Sequence, residues 1–157
     1  MLKSVSAHLA VAASLFSSSA LAATGTITFS GTVGAACTLT VVNSSGTMTA
    51  SSTMQSLSSK NPGGTPGVVT VTTTGGVNLS IDPPAGITAP VGDASTTTWL
   101  PTYSVSGASN VAETSTASAL SAAGSSTVNV NLTGSKTGAA TFAAGAYAAT
   151  LTLRCEP

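Results

Sequence analysis

Few side chains in this sequence could carry chemistry. Four acids (Asp82, Asp93, Glu113, Glu156), four bases (Lys3, Lys60, Lys136, Arg154), one histidine (His8) and two cysteines (Cys37, Cys155) are the whole inventory. His8 falls inside a leader-like segment, so a mature chain has no imidazole and no Ser–His or Cys–His nucleophilic site. Two cysteines without histidine do not make a zinc site. Lys136-Thr-Gly138 has the form of one β-lactamase motif, but Leu57 and Thr133 stand three residues before Lys60 and Lys136, where the companion motif needs Ser. A glycosidase pair would need two carboxylates about 5–10 Å apart, and Asp82 and Asp93, the nearest in sequence, read as turn caps. No catalytic, cofactor-binding or metal site is expected. The net charge is zero, and setting Lys3 aside leaves one acid in excess. Such a chain has no basic field for phosphates, which argues against nucleic acid as a partner.

The chemistry that remains is thiol oxidation, and the start of the chain says where it would occur. Lys3 is the only charged residue before Lys60; an apolar run, Leu9–Phe16, follows it, then small residues ending in Ala20-Leu-Ala22. That order is the order of a secretory signal peptide, expected over residues 1–23. Its apolar run is well short of the roughly 20 residues that span a bilayer, so no membrane insertion is expected. In an exported chain Cys37 and Cys155 have only each other to pair with, and a disulfide between them is predicted.

The elements that position these cysteines read as strands. Ser and Thr make up about a third of the chain, and Lys, Glu, Gln and Arg are scarce. Strands are therefore favoured over helices. Between residues 24 and 41 the apolar side chains Ile27, Phe29, Val33, Ala35, Cys37, Leu39 and Val41 occupy every second position, the period of a strand with one buried face. Gly31 shares that register. The stretch is long for one strand, and the glycines mark a joint between residues 24–31 and a domain strand at 33–41.

Further alternation is found at Val68–Thr72, Val77–Ile81, Trp99–Val105, Thr127–Leu132 and Gly145–Cys155. The first two of these are expected to form a hairpin or a kinked pair. Residues 106–126 read as an exposed loop, with Leu120 expected to touch the core, and 133–138 as a turn. Tyr147, Ala149, Leu151, Leu153 and Cys155 fall on one face of the closing strand. No helix is expected. Six to eight short strands in an exported domain point to an all-β sandwich whose first and last strands are joined by the disulfide.

Two segments carry a resemblance. Gly25-Thr-Ile-Thr-Phe-Ser-Gly-Thr-Val-Gly-Ala-Ala-Cys37 and Ala144-Gly-Ala-Tyr-Ala-Ala-Thr-Leu-Thr-Leu153 resemble the two ends of chaperone–usher pilus subunits, closest to the archaic, spore coat protein U-like branch. The match covers about 30 residues. The resemblance implies an immunoglobulin-like β-sandwich missing its last strand, whose open groove takes an extended segment by strand addition. It further implies a periodic plug of Gly25, Ile27, Phe29 and Gly31, and a groove wall that includes Tyr147, Leu151 and Leu153. The boundaries become an extension or donor strand at 24–32 and a domain at 33–157. The implied partners are neighbouring copies or other pilus subunits, a periplasmic chaperone and an outer-membrane usher. Family members usually pair the first cysteine with one on the second strand, near Thr72 or Thr73 here; in this sequence the partner is Cys155.

The alternative is a self-contained secreted sandwich, an adhesion or glycan-binding module, in which residues 24–33 pair within their own chain. Trp99 and Tyr103 would be its sugar-stacking platform, although two aromatics beside a proline more often pack in a core or at its rim.

Overall fold

The computed structural model describes residues 23–157, so the expected signal peptide lies outside the described residues except for Ala23. Contacts divide the chain into two units, Met1–Gly31 and Thr32–Pro157. In the first, the described residues form no strand, and Ile27 and Phe29 are exposed.

The second unit holds twelve strands and, among the described residues, no helix. They are β1 (Cys37–Asn43), β2 (Thr49–Ala50), β3 (Ser56–Ser58), β4 (Gly67–Thr73), β5 (Val77–Ile81), β6 (Ala85–Thr88), β7 (Thr98–Gly107), β8 (Val111–Thr114), β9 (Ser118–Leu120), β10 (Gly124–Ser135), β11 (Ala148–Thr150) and β12 (Leu153–Glu156). All pairings are antiparallel. A seven-stranded sheet runs β1-β4-β10-β3-β2, with β7 on the other side of β10 and β8 outside β7. A three-stranded sheet runs β12-β5-β9, and β11 pairs with β6 in a two-stranded ribbon.

One core joins the first two sheets. Val71 of β4, Tyr103 and Val105 of β7 and Val128 of β10 pack with Val77, Leu79 and Ile81 of β5 and Leu120 of β9. These are alternate residues of their strands, so period two in the sequence becomes one buried face in space. Tyr103 is fully buried, and its hydroxyl lies 2.8 Å from the Leu79 carbonyl and 2.9 Å from that of Thr116. A stacking platform on Tyr103 is therefore ruled out: the ring sits in the core and its polar end is used there. Trp99 packs edge-on to Phe142, with ring centroids 6.2 Å apart.

Several expectations change. The first strand begins at Cys37, not at residue 33, and residues 23–36 pair with no strand among the described residues. Alternation alone does not make a strand; the backbone also needs a neighbour to bond. The segments around 70 and 79 are not a hairpin, because β4 and β5 belong to different sheets; Gly75 and Gly76, both at positive φ, turn the chain from one to the other. The expected loop at 106–126 contains β8, β9 and the start of β10, although Leu120 does reach the core as expected and is fully buried. The expected turn at 133–138 begins inside β10, which runs to Ser135 against β7 and β3. The closing strand is split at residues 151–152 into β11 and β12, yet Tyr147, Ala149, Leu151, Leu153 and Cys155 keep one half-buried face.

Candidate functional site

Both ends of the second unit finish as sheet edges. Among the described residues β1 pairs with β4 alone and β12 with β5 alone. Which backbone groups these edges leave unbonded follows from the ladder. Just before β1, the Thr74 N–H donates to the Ala36 carbonyl at 3.0 Å. In an antiparallel pair bonded positions alternate, so Thr38 and Thr40 turn their N–H and C=O toward β4, while Cys37, Leu39 and Val41 turn theirs away. At the other end the Asp82 N–H donates to the Thr152 carbonyl at 2.9 Å. By the same alternation Arg154 bonds to β5, and Leu153 and Cys155 face outward.

These two edges border one groove of about 470 Å³. Leu39 and Val41 of β1 form one side and Thr150–Leu153 the other, over a floor that includes Val69, Val130 and Leu132. No charged residue lines it. The groove has the size of a ligand pocket but lacks the convergent titratable groups that catalysis requires. It offers apolar surface between two rows of unsatisfied backbone groups, which is what an added β-strand uses.

The disulfide expected from the sequence is present, joining Cys37 to Cys155 with the Cα atoms 6.3 Å apart. It ties β1 to β12, and so the two sides of the groove to each other. A disulfide is consistent with an oxidising, exported environment. Thr73, on the second long strand, lies directly across from Cys37 in the β1–β4 ladder. No helix among the described residues is long and apolar enough to cross a membrane.

Beyond Met48 and Ala149 a second hollow of about 350 Å³ continues past Gly46 and Leu57 to Tyr147. Tyr147 therefore lines this hollow rather than the groove proper, whereas Leu151 and Leu153 line the groove as the resemblance implied. Gly25, Ile27, Phe29 and Gly31 lie in the other unit, outside any strand.

Sequence reasoning missed the cluster behind Tyr147. The Lys136 ammonium contacts Asp93 Oδ1, and both side chains are buried, 0% and 2% exposed. Lys136 Nζ also donates to the Ser95 carbonyl at 2.7 Å, and the Tyr147 hydroxyl donates to Asp93 Oδ2 at 2.5 Å. Lys136 lies 4.9 Å from the centre of the Phe142 ring, which meets Tyr147 edge-on at 5.4 Å. The ammonium of Lys136, then the Tyr147 hydroxyl, hold the Asp93 carboxyl down at about 2. Burial, then the neighbouring Asp93, push the Tyr147 phenol up to about 12. At the surface, the Thr102 hydroxyl and then Lys60 lower Glu113, and Asp82 raises Arg154. No three potential metal ligands come together among the described residues. One signal could have found the buried pair. With so few charges, an isolated Lys near Phe142 and Tyr147 is expected to have an acid as partner, and Asp93, read only as a turn cap, was available for it.

Compared with known proteins, the chain matches no protein-family model, no curated protein and no solved structure.

Proposed function

We propose that this protein is a non-enzymatic structural subunit of a surface pilus or fimbria. On this reading it is an incomplete immunoglobulin-like β-sandwich that polymerises by donor-strand exchange and supports adhesion. The observation that carries the reading is the outward-facing backbone edge of β1, at Leu39 and Val41, with Leu153 of the other edge across one groove that no charged residue lines. A strand laid beside Leu39 and Val41 would bond to that edge and press alternate side chains onto Val69, Val130 and Leu132, whereas Cys37 and Cys155, with Cα atoms 6.3 Å apart, leave no room for one between them.

Residues 24–32 of a neighbouring copy fit this role by chemistry. They are extended in pattern, free of charge and exposed at Ile27 and Phe29. Gly25 and Gly31 share the same register, where a small residue suits a shallow position. The resemblance of both chain ends to chaperone–usher subunits supports the same assignment. It adds as partners a periplasmic chaperone, which covers the groove in transit, and an outer-membrane usher. Export through the periplasm to the cell surface follows from the same reading.

The test is deletion of residues 24–30. Folding with chaperone should persist and polymers should disappear; unchanged polymers would refute the proposal.

The disulfide favours a second reading. It holds the groove walls together without an inserted strand, as a self-contained secreted adhesion or glycan-binding module requires. In that case the purified protein is a stable monomer without chaperone.

A further inference from the structure

The side of the groove built by residues 149–153 has little to hold it. β11 pairs only with β6 among the described residues, and all four residues of β6 are exposed. Residues 151–152 belong to no strand and are held by one backbone bond, from the Asp82 N–H to the Thr152 carbonyl, and by the packing of Leu151 on the core, before β12 with its disulfide. A short two-stranded ribbon is marginal in water. Yet the segment must keep its distance from β1 if the groove is to keep its shape. Something has to fix its upstream end.

The buried cluster lies at that end. Tyr147 is the residue before β11, and its hydroxyl donates a hydrogen bond to Asp93 Oδ2. Asp93 is held in turn by Lys136, at the end of β10, and by its own loop, where its N–H donates to the Pro90 carbonyl at 2.9 Å. The connection from β10 to β11 is fastened along its length. The Lys136 N–H donates to the Gln55 carbonyl at 2.9 Å, and the Phe142 N–H to that of Met54 at 2.8 Å. Gly145, at φ +144°, passes so close to Pro90 that an added Cβ would stand 2.6 Å from the proline Cβ. The Asp93 loop and the approach to β11 are therefore packed together in one place.

We propose that Asp93 and Tyr147 form a clasp that positions the last-strand side of the groove, one fixed point matched by the Cys37–Cys155 bridge at the other end. Neither residue touches the proposed occupant through its polar atoms. They act through the backbone of residues 148–153, which they hold at the spacing an added strand needs. The link from clasp to strand binding rests on the donor-strand reading; the positioning of the segment does not.

Tyr147→Phe removes the clasp with little loss of volume and keeps the ring against Phe142, whereas Asp93→Asn also strips the buried Lys136 ammonium of its counter-ion and serves as the more severe, less local control. Amide hydrogen exchange on the full chain then reads the effect locally. Losing one hydrogen bond to a charged group should speed exchange at residues 148–153 by about tenfold or more, leaving β4 and β10 unchanged. Unchanged exchange at 148–153, or acceleration spread evenly over the core strands, overturns the clasp.

A second measurement uses a synthetic peptide of residues 24–32. It is added to the full chain carrying Phe29→Asp, which disables the chain's own extension. Dissociation about tenfold faster in the Tyr147→Phe background is expected. Faster exchange with unchanged dissociation would overturn the role in the groove. A peptide that fails to bind the chain with an intact clasp would instead overturn the donor-strand reading, and the exchange result would still decide the clasp.

Discussion

Replacing both cysteines, Cys37→Ser with Cys155→Ser, removes the one covalent link between the two ends of the fold. The bridge spans 118 residues, and a loop of that length constrains the unfolded chain by about 5 kcal/mol in the chain-entropy model. Domains of this size are stable by only about 5–15 kcal/mol, so the loss is a large fraction of the total. The structure also says where the damage appears first. β1 keeps six paired residues against β4, whereas β12 keeps four residues against β5 and the poorly supported segment before it. Guanidinium unfolding of the oxidised protein and the double variant measures the difference. The midpoint should fall sharply, and the denaturant slope should rise because the unfolded chain is no longer cross-linked. Exchange at 151–156 should accelerate before exchange at 37–43. A stability change below about 1 kcal/mol would refute the loop argument. First opening at β1 would refute the ranking of the two edges.

Two further outcomes follow. Leu79 is fully buried among both sheets, so Leu79→Ala should cost about 2–5 kcal/mol in denaturant unfolding. Leu151 is only half-buried, so Leu151→Ala should cost on the order of 1 kcal/mol while strongly weakening retention of the 24–32 peptide; equal stability losses would contradict the division between core and groove. The clasp gives the pH dependence a definite sign. Asp93 titrates near 2 in the fold against an ordinary 3.8, so its contribution is present above about pH 4 and is lost as pH falls through 2. Tyr147 is raised from 10.0 to about 12, so its contribution is complete below pH 10 and is lost as pH rises through 12. Stability curves of the parent and Asp93→Asn should therefore converge at the acid end, and persistent separation below pH 2 would count against the assignment.

The parts of this fold that were legible in sequence are those where side chains alternate against a buried partner. Val71, Val128 and Leu79 sit in runs of clean period two, and each faces the core. The disulfide was legible by counting. β8 and β9 were not, because Val111–Thr114 and Ser118–Leu120 are too short and too rich in small residues to show a period. Their pairing is set by neighbours, Tyr103 and Val105 for β8 and β5 for β9. The clasp was hidden for another reason: Asp93 and Lys136 lie 43 residues apart on segments with turn-like sequences. Composition nevertheless held a hint. The three described bases take all four acids as partners, Lys60 with Glu113, Lys136 with Asp93, and Arg154 with Asp82 and, at 4.0 Å, Glu156. Only the Lys136 pair is buried, and it alone bears on the groove.

Residues 24–31 carry the side-chain code of a strand but have no ladder among the described residues. The second unit carries two ladder edges, at Cys37–Val41 and Leu153–Cys155, with no strand between them. An exposed edge is normally blunted by charge, proline or a bulge, since it otherwise invites pairing with another chain. Here the outward-facing residues of β1 are Cys37, Leu39 and Val41, with no charge and no proline among them, and the register shift comes only after Val41. A permanently bare edge of this composition would be an aggregation hazard in a protein with so few charges. A covered one would not, and the covering strand would need the pattern that residues 24–31 already have. The missing protection at the edge and the missing partner of the extension would both be met by the proposed pairing, and the donor-strand reading is preferred to the self-contained module on that ground.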